Sequence, residues 1–348
     1  MEITSSKVTF KSGKEITVYK LTNDKGMLVE ILNLGGILTK IIVPDKQGCF
    51  ENILLEWEDL ETYEINPGGF GAVIGRIAGR IYDGKVTLNE KVYTFAKNNN
   101  GNTLHGGLSG FDKKIWTGTD ETTKEEAVLK LTYFSEDGEE GFPGNLDVTV
   151  TYKLNNGNEL TIEYKAQTDQ DTIVNLTNHA YFNLSGNAKK SVLDQEVFIN
   201  ADKICKLDKE LIPDGEFLNV EEYSAFNFKT RKPIGQDIAK DDLQLKYGNG
   251  YDHPWILNDG NKAAEFYDPA SKRCMEVSTT EPGVVMYTMN YANNPIKLSN
   301  GELPHPYYGA CFETQKLPIG HNEVFKEGVL LKKGSTYSSQ TTFKFSVK

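Results

Sequence analysis

Five short segments of this chain carry side chains able to do chemistry. Val174 to Gly186 reads VNLTNHAYFNLSG and sets His179 in a run of strand-forming residues. A period of two puts Asn175, Thr177, His179 and Tyr181 on one face and Val174, Leu176 and Ala180 on the other. Three hydrogen-bonding neighbours would then hold one imidazole in a fixed direction, and an imidazole can give or take a proton near neutral pH. The alternative is a histidine satisfied by hydrogen bonds alone. Gly309 to Gln315, GACFETQ, places Glu313 among small and apolar residues. Burial would raise its pKa toward the range of a general base; an edge-strand carboxylate facing water is the other reading.

Asn66 to Gly84 reads NPGGFGAVIGRIAGRIYDG. Gly69, Gly71 and Gly75 approach a dinucleotide fingerprint, but no strand precedes them and no βαβ alternation surrounds them, so tight turns and close packing are expected. Arg76 and Arg80 in this apolar run each need a polar partner, either a ligand or a structural salt bridge. Asn98 to Gly107, NNNGNTLHGG, offers His105 in a glycine-rich loop where a ligand can approach the backbone, or else an exposed histidine. In Tyr251-Asp252-His253, Asp252 lies between aromatics and could accept hydrogen bonds from ligand hydroxyls; an aspartate in a turn is the alternative.

No HExxH, no Cys/His cluster, no GxSxG elbow and no EF-hand loop occurs. The carboxylates, imidazoles and guanidinium that remain suit proton transfer on a polyhydroxylated neutral molecule.

These side chains need rigid elements to position them, and period-two patterns dominate. In DVTVTYKL, Val148, Val150, Tyr152 and Leu154 alternate with polar residues, as do Leu160, Ile162, Tyr164 and Ala166 in ELTIEYKA. Asn155-Asn156-Gly157-Asn158 between them predicts a hairpin, and Lys85 to Phe95 predicts another, turning near Asn89-Glu90. Two short helices are expected, over Glu221 to Phe226 and Ile234 to Lys240. With no linker or composition break, residues 1–348 are expected to form a single all-β domain, a large antiparallel β-sandwich with few short helices.

The net charge of −11 argues against nucleic acid or an anionic membrane as partner. The first residues show no signal core, and no run approaches the roughly 20 apolar residues of a membrane span. Cys49, Cys205, Cys274 and Cys311 are widely spaced, which suggests a reducing compartment, so a cytoplasmic location is expected.

Taken together, FGAVIGRIAGRI, NTLHGG followed by GFDKKIW, VNLTNHAYFNLSG, YDHPWIL, PGVVMYT and CFETQ occur in this order. The sequence resembles the aldose 1-epimerase (galactose mutarotase) family from about Ile31 to the C-terminus. The resemblance implies a galactose mutarotase-like supersandwich with a sugar site in an open cleft, a monosaccharide substrate and no cofactor. It implies Glu313 as general base, His179 as general acid, and Arg80, His105 and Asp252 as sugar-binding residues, with Arg80 rather than Arg76 in that role. The chain departs from the family where Val285 stands for a frequent Gln, Met289 for Gly, and Gly79 and Pro254 for Asn. Losing the amide at 285 puts the sugar preference in question. A mutarotase for phosphorylated hexoses and a non-catalytic sugar-binding protein on the same fold are the alternatives. The first would need extra cations near the cleft; the second commonly lacks the acid or the base.

Overall fold

The computed structural model of the chain describes residues 1–348. Three sheets dominate it. A nine-stranded sheet runs in the order Thr117–Asp120, Glu126–Ser135, Leu146–Asn155, Glu159–Thr168, Thr336–Val347, Arg273–Thr279, Ala264–Tyr267, Glu196–Ile199, Lys232–Pro233. A five-stranded meander is built from the first 52 residues, Glu2–Thr9 to Phe50–Asn52. A second five-stranded sheet, the site sheet, has the order Pro213–Asn219, Ala201–Leu207, Asp252–Leu257, Gly283–Tyr287, Cys311–Gln315. All their ladders are antiparallel.

The alternation explains the layers. Val148, Val150, Tyr152 and Leu154 are buried, as are Leu160, Ile162, Tyr164 and Ala166 on the paired strand. One apolar core joins them to Val29, Ile31 and Leu38 of the meander and to Trp255, Val284, Met286 and Phe312 of the site sheet. The Tyr152 hydroxyl donates to the Gly36 carbonyl at 2.5 Å. Phe266 of the large sheet meets Phe312 with ring centroids 5.3 Å apart. The molecule is the antiparallel β-sandwich that the alternation and the resemblance imply.

Both expected hairpins form. Asn158 turns the first with φ of 56°, and Asn89 and Glu90 turn the second with φ of 48° and 65°. Neither expected helix forms. Glu221 to Phe226 contains only a 3-10 turn at Ser224–Phe226, and Ile234 to Lys240 only one at Ile234–Gln236. The two α-helices are Leu243–Gly248 and Lys326–Val329. The first begins where the Asp242 carboxylate accepts from the backbone N–H groups of Gln244 and Leu245, an N-cap worth about 1 kcal/mol. No helix is long and apolar enough to cross a membrane. All four cysteines are free.

Candidate active site

The floor of the site is set by register. Across the strands Asp252–Leu257, Gly283–Tyr287 and Cys311–Gln315, three successive rungs align on one face. They are Asp252, Tyr287 and Cys311; then Pro254, Val285 and Glu313; then Ile256, Gly283 and Gln315. The other face sends Trp255, Val284, Met286 and Phe312 into the core. Cys311–Gln315 is an edge strand, yet the Glu313 carboxylate does not face water; Glu313 is 3% exposed.

His179 comes in from above. Its segment is not the continuous strand that the alternation suggests: only Thr177–Asn178 form a ladder, with Val73–Ile74. The backbone of His179 is fixed nonetheless, donating to the Ala72 carbonyl and accepting from Gly71 N–H, both at 2.9 Å. Gly71 is needed there, since at φ +67° a Cβ would lie 2.0 Å from the Leu38 carbonyl oxygen. The glycine-rich run is thus a packing device under the histidine, as its context predicted. Asn175 and Thr177 tie this segment to the glutamate strand. Asn175 donates to the Lys316 carbonyl and accepts from Lys316 N–H, and the Thr177 hydroxyl donates to the Thr314 carbonyl at 2.9 Å.

The result is a close pair: His179 Nε2 stands 3.5 Å from Glu313 Oε1. The other ring nitrogen, Nδ1, lies 3.6 Å from the Cys311 sulfur. Burial holds the Glu313 carboxyl up at about 8, with the Asp252 charge adding to the effect and Arg80 opposing it. Burial holds the His179 imidazole down at about 4. Burial also keeps the Cys311 thiol protonated well above its ordinary range.

His105 follows the short ladder that pairs Leu104 with Arg80. Its Nδ1 accepts from Gly79 N–H at 3.2 Å, and the His105 backbone N–H donates to the Gly79 carbonyl at 3.1 Å. The proton of the neutral ring is therefore on Nε2, which presents a donor. Burial, and then the positive neighbours, keep this ring neutral. Its edge meets the His179 ring, centroids 5.2 Å apart. The ligating atoms of His105, His179 and Glu313 lie within 4.8 Å of one another, close enough to share a metal ion. With its proton on Nε2, however, His105 offers that ion a hydrogen rather than a lone pair.

Arg80 and Asp252 close the far wall. Arg80 Nη2 is 3.4 Å from Asp252 Oδ2, and Arg80 Nε donates to Asn99 Oδ1. Burial raises the Asp252 pKa while Arg80 pulls it back. Asp252 is on a strand, not in a turn. Arg76 is excluded from the site. It is buried and donates to the carbonyls of Ser135, Glu136, Pro143 and Gly144 and to the Ser135 hydroxyl, so its partners are neutral oxygens rather than the salt bridge that was one reading of the sequence.

His179, Glu313, His105, Arg80 and Asp252 thus line one cavity of about 470 Å³. Tyr181, Tyr287, Val285 and Gln315 line it too. Sequence reasoning had not singled out Cys311, Tyr287 or Gln315. The signal was available for two of them, since alternation through Glu313 puts Cys311 and Gln315 on its face. An uncharged donor, an ion pair and a carboxyl–imidazole couple around an open space can hold a polyol and move protons on it.

Comparison with known proteins agrees. The sequence model of the aldose 1-epimerase family matches residues 17–344. The chain is 41% identical to the galactose mutarotase of Bos taurus over 94% of each chain, and 35% identical to the aldose 1-epimerase of Haemophilus influenzae over 96% of each. Its structure superposes on the crystal structure of galactose 1-epimerase from Lactobacillus acidophilus with a TM-score of 0.90, at 32% identity and over 99% of both chains. The chain belongs to the aldose 1-epimerase family, and its activity is that of an isomerase interconverting the anomers of an aldose.

Proposed function

We propose that the protein epimerises a free aldose such as glucose or galactose at C1, with Glu313 as general base and His179 as general acid. The observation that carries this reading is the 3.5 Å approach of Nε2 to Oε1 inside the cavity. In the reactive form the Glu313 carboxylate takes the proton of the anomeric hydroxyl, and the His179 imidazolium gives its proton to the ring oxygen. The C1–O5 bond breaks and C1 becomes an aldehyde. Rotation about C1–C2 turns the other face of the carbonyl toward O5. Ring closure then returns one proton from Glu313 to O1 and the other from O5 to His179. Each role contributes roughly 10²–10⁴ in rate.

The protonation of the empty site fits the middle of this cycle. A protonated Glu313 beside a neutral His179 is the state expected at neutral pH, and it is also the state that accompanies the open-chain sugar. Moving that proton to His179 gives the reactive form without changing the total charge. The exchanged assignment, with Glu313 as acid and His179 as base, has the same proton count; a sugar complex with the ring oxygen beside Nε2 favours the first assignment, and one with it beside Oε1 the second.

Arg80, His105 and Asp252 hold the sugar in this reading, through a guanidinium, the Nε2–H donor and a carboxylate acceptor. A free sugar fits better than a phosphorylated one. Arg80 and Lys113 are already paired with Asp252 and Asp112, which leaves Lys209 at the cavity to meet a phosphate. Residues 1–348 act as one domain in this proposal, supported by the core shared among the three sheets. The four free cysteines suit a reducing, cytoplasmic setting.

Polarimetry of freshly dissolved α-D-glucose and α-D-galactose tests the function. Accelerated mutarotation of either sugar is expected. No acceleration with these or with a panel of other aldoses overturns the reading, and a faster rate on 6-phosphorylated than on free hexose moves it to the phosphorylated class.

A further inference from the structure

Gln315 closes the third rung of the site floor, two residues beyond Glu313 on the same strand face. It lines the cavity and is 2% exposed, yet its side-chain Oε1 has no hydrogen-bond partner. A buried amide oxygen left unpaired destabilises the empty protein, and native structures rarely tolerate one without a reason. The surroundings explain why no protein group serves it. Gly283 lies directly opposite and has no side chain. Gly79 is close by, so that a Cβ there would fall 3.7 Å from Gln315 Nε2. Val285, diagonal to Gln315 on the ladder, and Pro254 beside Val285 offer no side-chain donor.

Gly79, Pro254 and Val285 line the cavity with Gln315 and carry no side-chain amide. All three border the Gln315 side of the cavity floor. Gln315 therefore carries the amide on this side of the cavity, and its acceptor is buried without a partner.

We propose that Gln315 is a sugar-binding residue that sets the preference among aldoses, its amide taking ring hydroxyls beside Val285. The inference rests on the role given to Glu313 at C1. Two residues along a strand span roughly 7 Å, about the reach from an anomeric oxygen to the far side of a pyranose. Gln315 thus meets hydroxyls that do not react but whose configuration distinguishes one epimer from another. Oε1 accepts from one hydroxyl and Nε2 donates to a neighbouring one. A site that hydrogen-bonds a hydroxyl rejects the sugar lacking it far more sharply than an apolar wall can.

The test combines Gln315→Leu with sugars lacking one hydroxyl each. Initial mutarotation rates give KM and kcat for wild type and variant on D-glucose, D-galactose and the 2-, 3- and 4-deoxy forms of the preferred one. Gln315→Leu is expected to raise KM for the preferred sugar about tenfold or more, with a smaller change in kcat. For one deoxy sugar the two proteins should have the same KM, because the lost hydroxyl and the lost amide are partners. Adding Val285→Gln to Gln315→Leu should recover part of the affinity, since the diagonal position reaches the same space. Thermal melting separates a folding effect: the variant should melt no lower than wild type, because the unpaired oxygen is gone.

An unchanged KM, or an equal loss on every deoxy sugar, overturns the proposal and leaves Gln315 structural. A lowered melting temperature with KM and kcat altered alike on all sugars does the same. If wild type itself fails to accelerate mutarotation, the function fails first; wild-type activity with an insensitive Gln315→Leu rejects the specificity role alone.

Discussion

His179 Nε2 and Glu313 Oε1 are 3.5 Å apart, so the two groups proposed as acid and base share one proton between them. The pair titrates as a unit. Below about 4 both groups are protonated and no base is left; above about 8 both have lost their protons and no acid is left. Between these limits one proton is present, as the reaction requires. Mutarotation rates are expected to form a bell bounded near those values, measured by polarimetry with the spontaneous rate subtracted at each pH. A rate still climbing well above pH 9 contradicts the shared proton.

Glu313→Gln should remove most of the activity, by roughly 10²–10⁴. The same change should stabilise the protein in alkaline solution. The folded-state pKa lies above the ordinary 4.5, so folding holds a proton that the unfolded chain releases. The resulting penalty is absent below pH 4.5, grows as pH rises through that window and is complete above about 8. Thermal melts at pH 4.5 should therefore coincide, while at pH 8.5 the variant should melt about 2–4 °C higher. A variant that melts lower at both pH values contradicts the burial argument.

Asp252 and Arg80 act on Glu313 in opposite directions. Asp252→Asn removes a negative neighbour, so the alkaline limb of the activity profile should move to lower pH. Arg80→Met removes a positive one, so that limb should move to higher pH. Both should raise KM, because each also loses the contact to the sugar proposed for it. Parallel shifts in the two variants would show that the limb does not belong to Glu313.

Cys311 supports the ring of His179 from behind, with its sulfur 3.6 Å from Nδ1. It does not line the cavity, so its proposed part is to position the ring. Cys311→Ala should lower kcat about tenfold with little change in KM, and Cys311→Ser should restore part of the rate by returning a hydrogen-bonding atom. Equal activity in all three proteins would show that the imidazole needs no such support.

Arg76 is a prediction about folding rather than chemistry. Arg76→Leu leaves several buried carbonyls without donors, each costing about 1–3 kcal/mol. The variant should melt far below wild type or fail to accumulate. A melting point near wild type would mean that water replaces the guanidinium.

The sheets were legible in the sequence because alternation of apolar and polar residues is a local record of burial. Val148 to Leu154 and Leu160 to Ala166 show it plainly, and their hairpin loop is marked by asparagine and glycine. The Val174 to Gly186 segment misled because it is buried on both sides. Its alternation records contacts with two different neighbours, not membership of one sheet. The short helices were illegible for a different reason: six residues from Leu243 hold too little periodicity, and capping by Asp242 does the work. Of the site, Glu313 and His179 stood out by type and neighbourhood. Arg76 and Arg80 did not differ locally, and only long-range packing assigns one to carbonyls and the other to Asp252. Cys311 and Gln315 were hidden by ordinariness, although the strand period pointed at both.

The three-rung register has an evolutionary consequence. A slip of one residue along the Cys311–Gln315 strand would turn Phe312 into the cavity and Glu313 into the core, so the spacing of acid and base is inherited with the ladder itself. The side chains at 254 and 285 share the face but neither set that spacing nor anchor the sheets. They can be exchanged one at a time without moving the reacting groups. Descendants of one such scaffold can therefore diverge in the sugars they accept while the proton chemistry stays where the backbone put it.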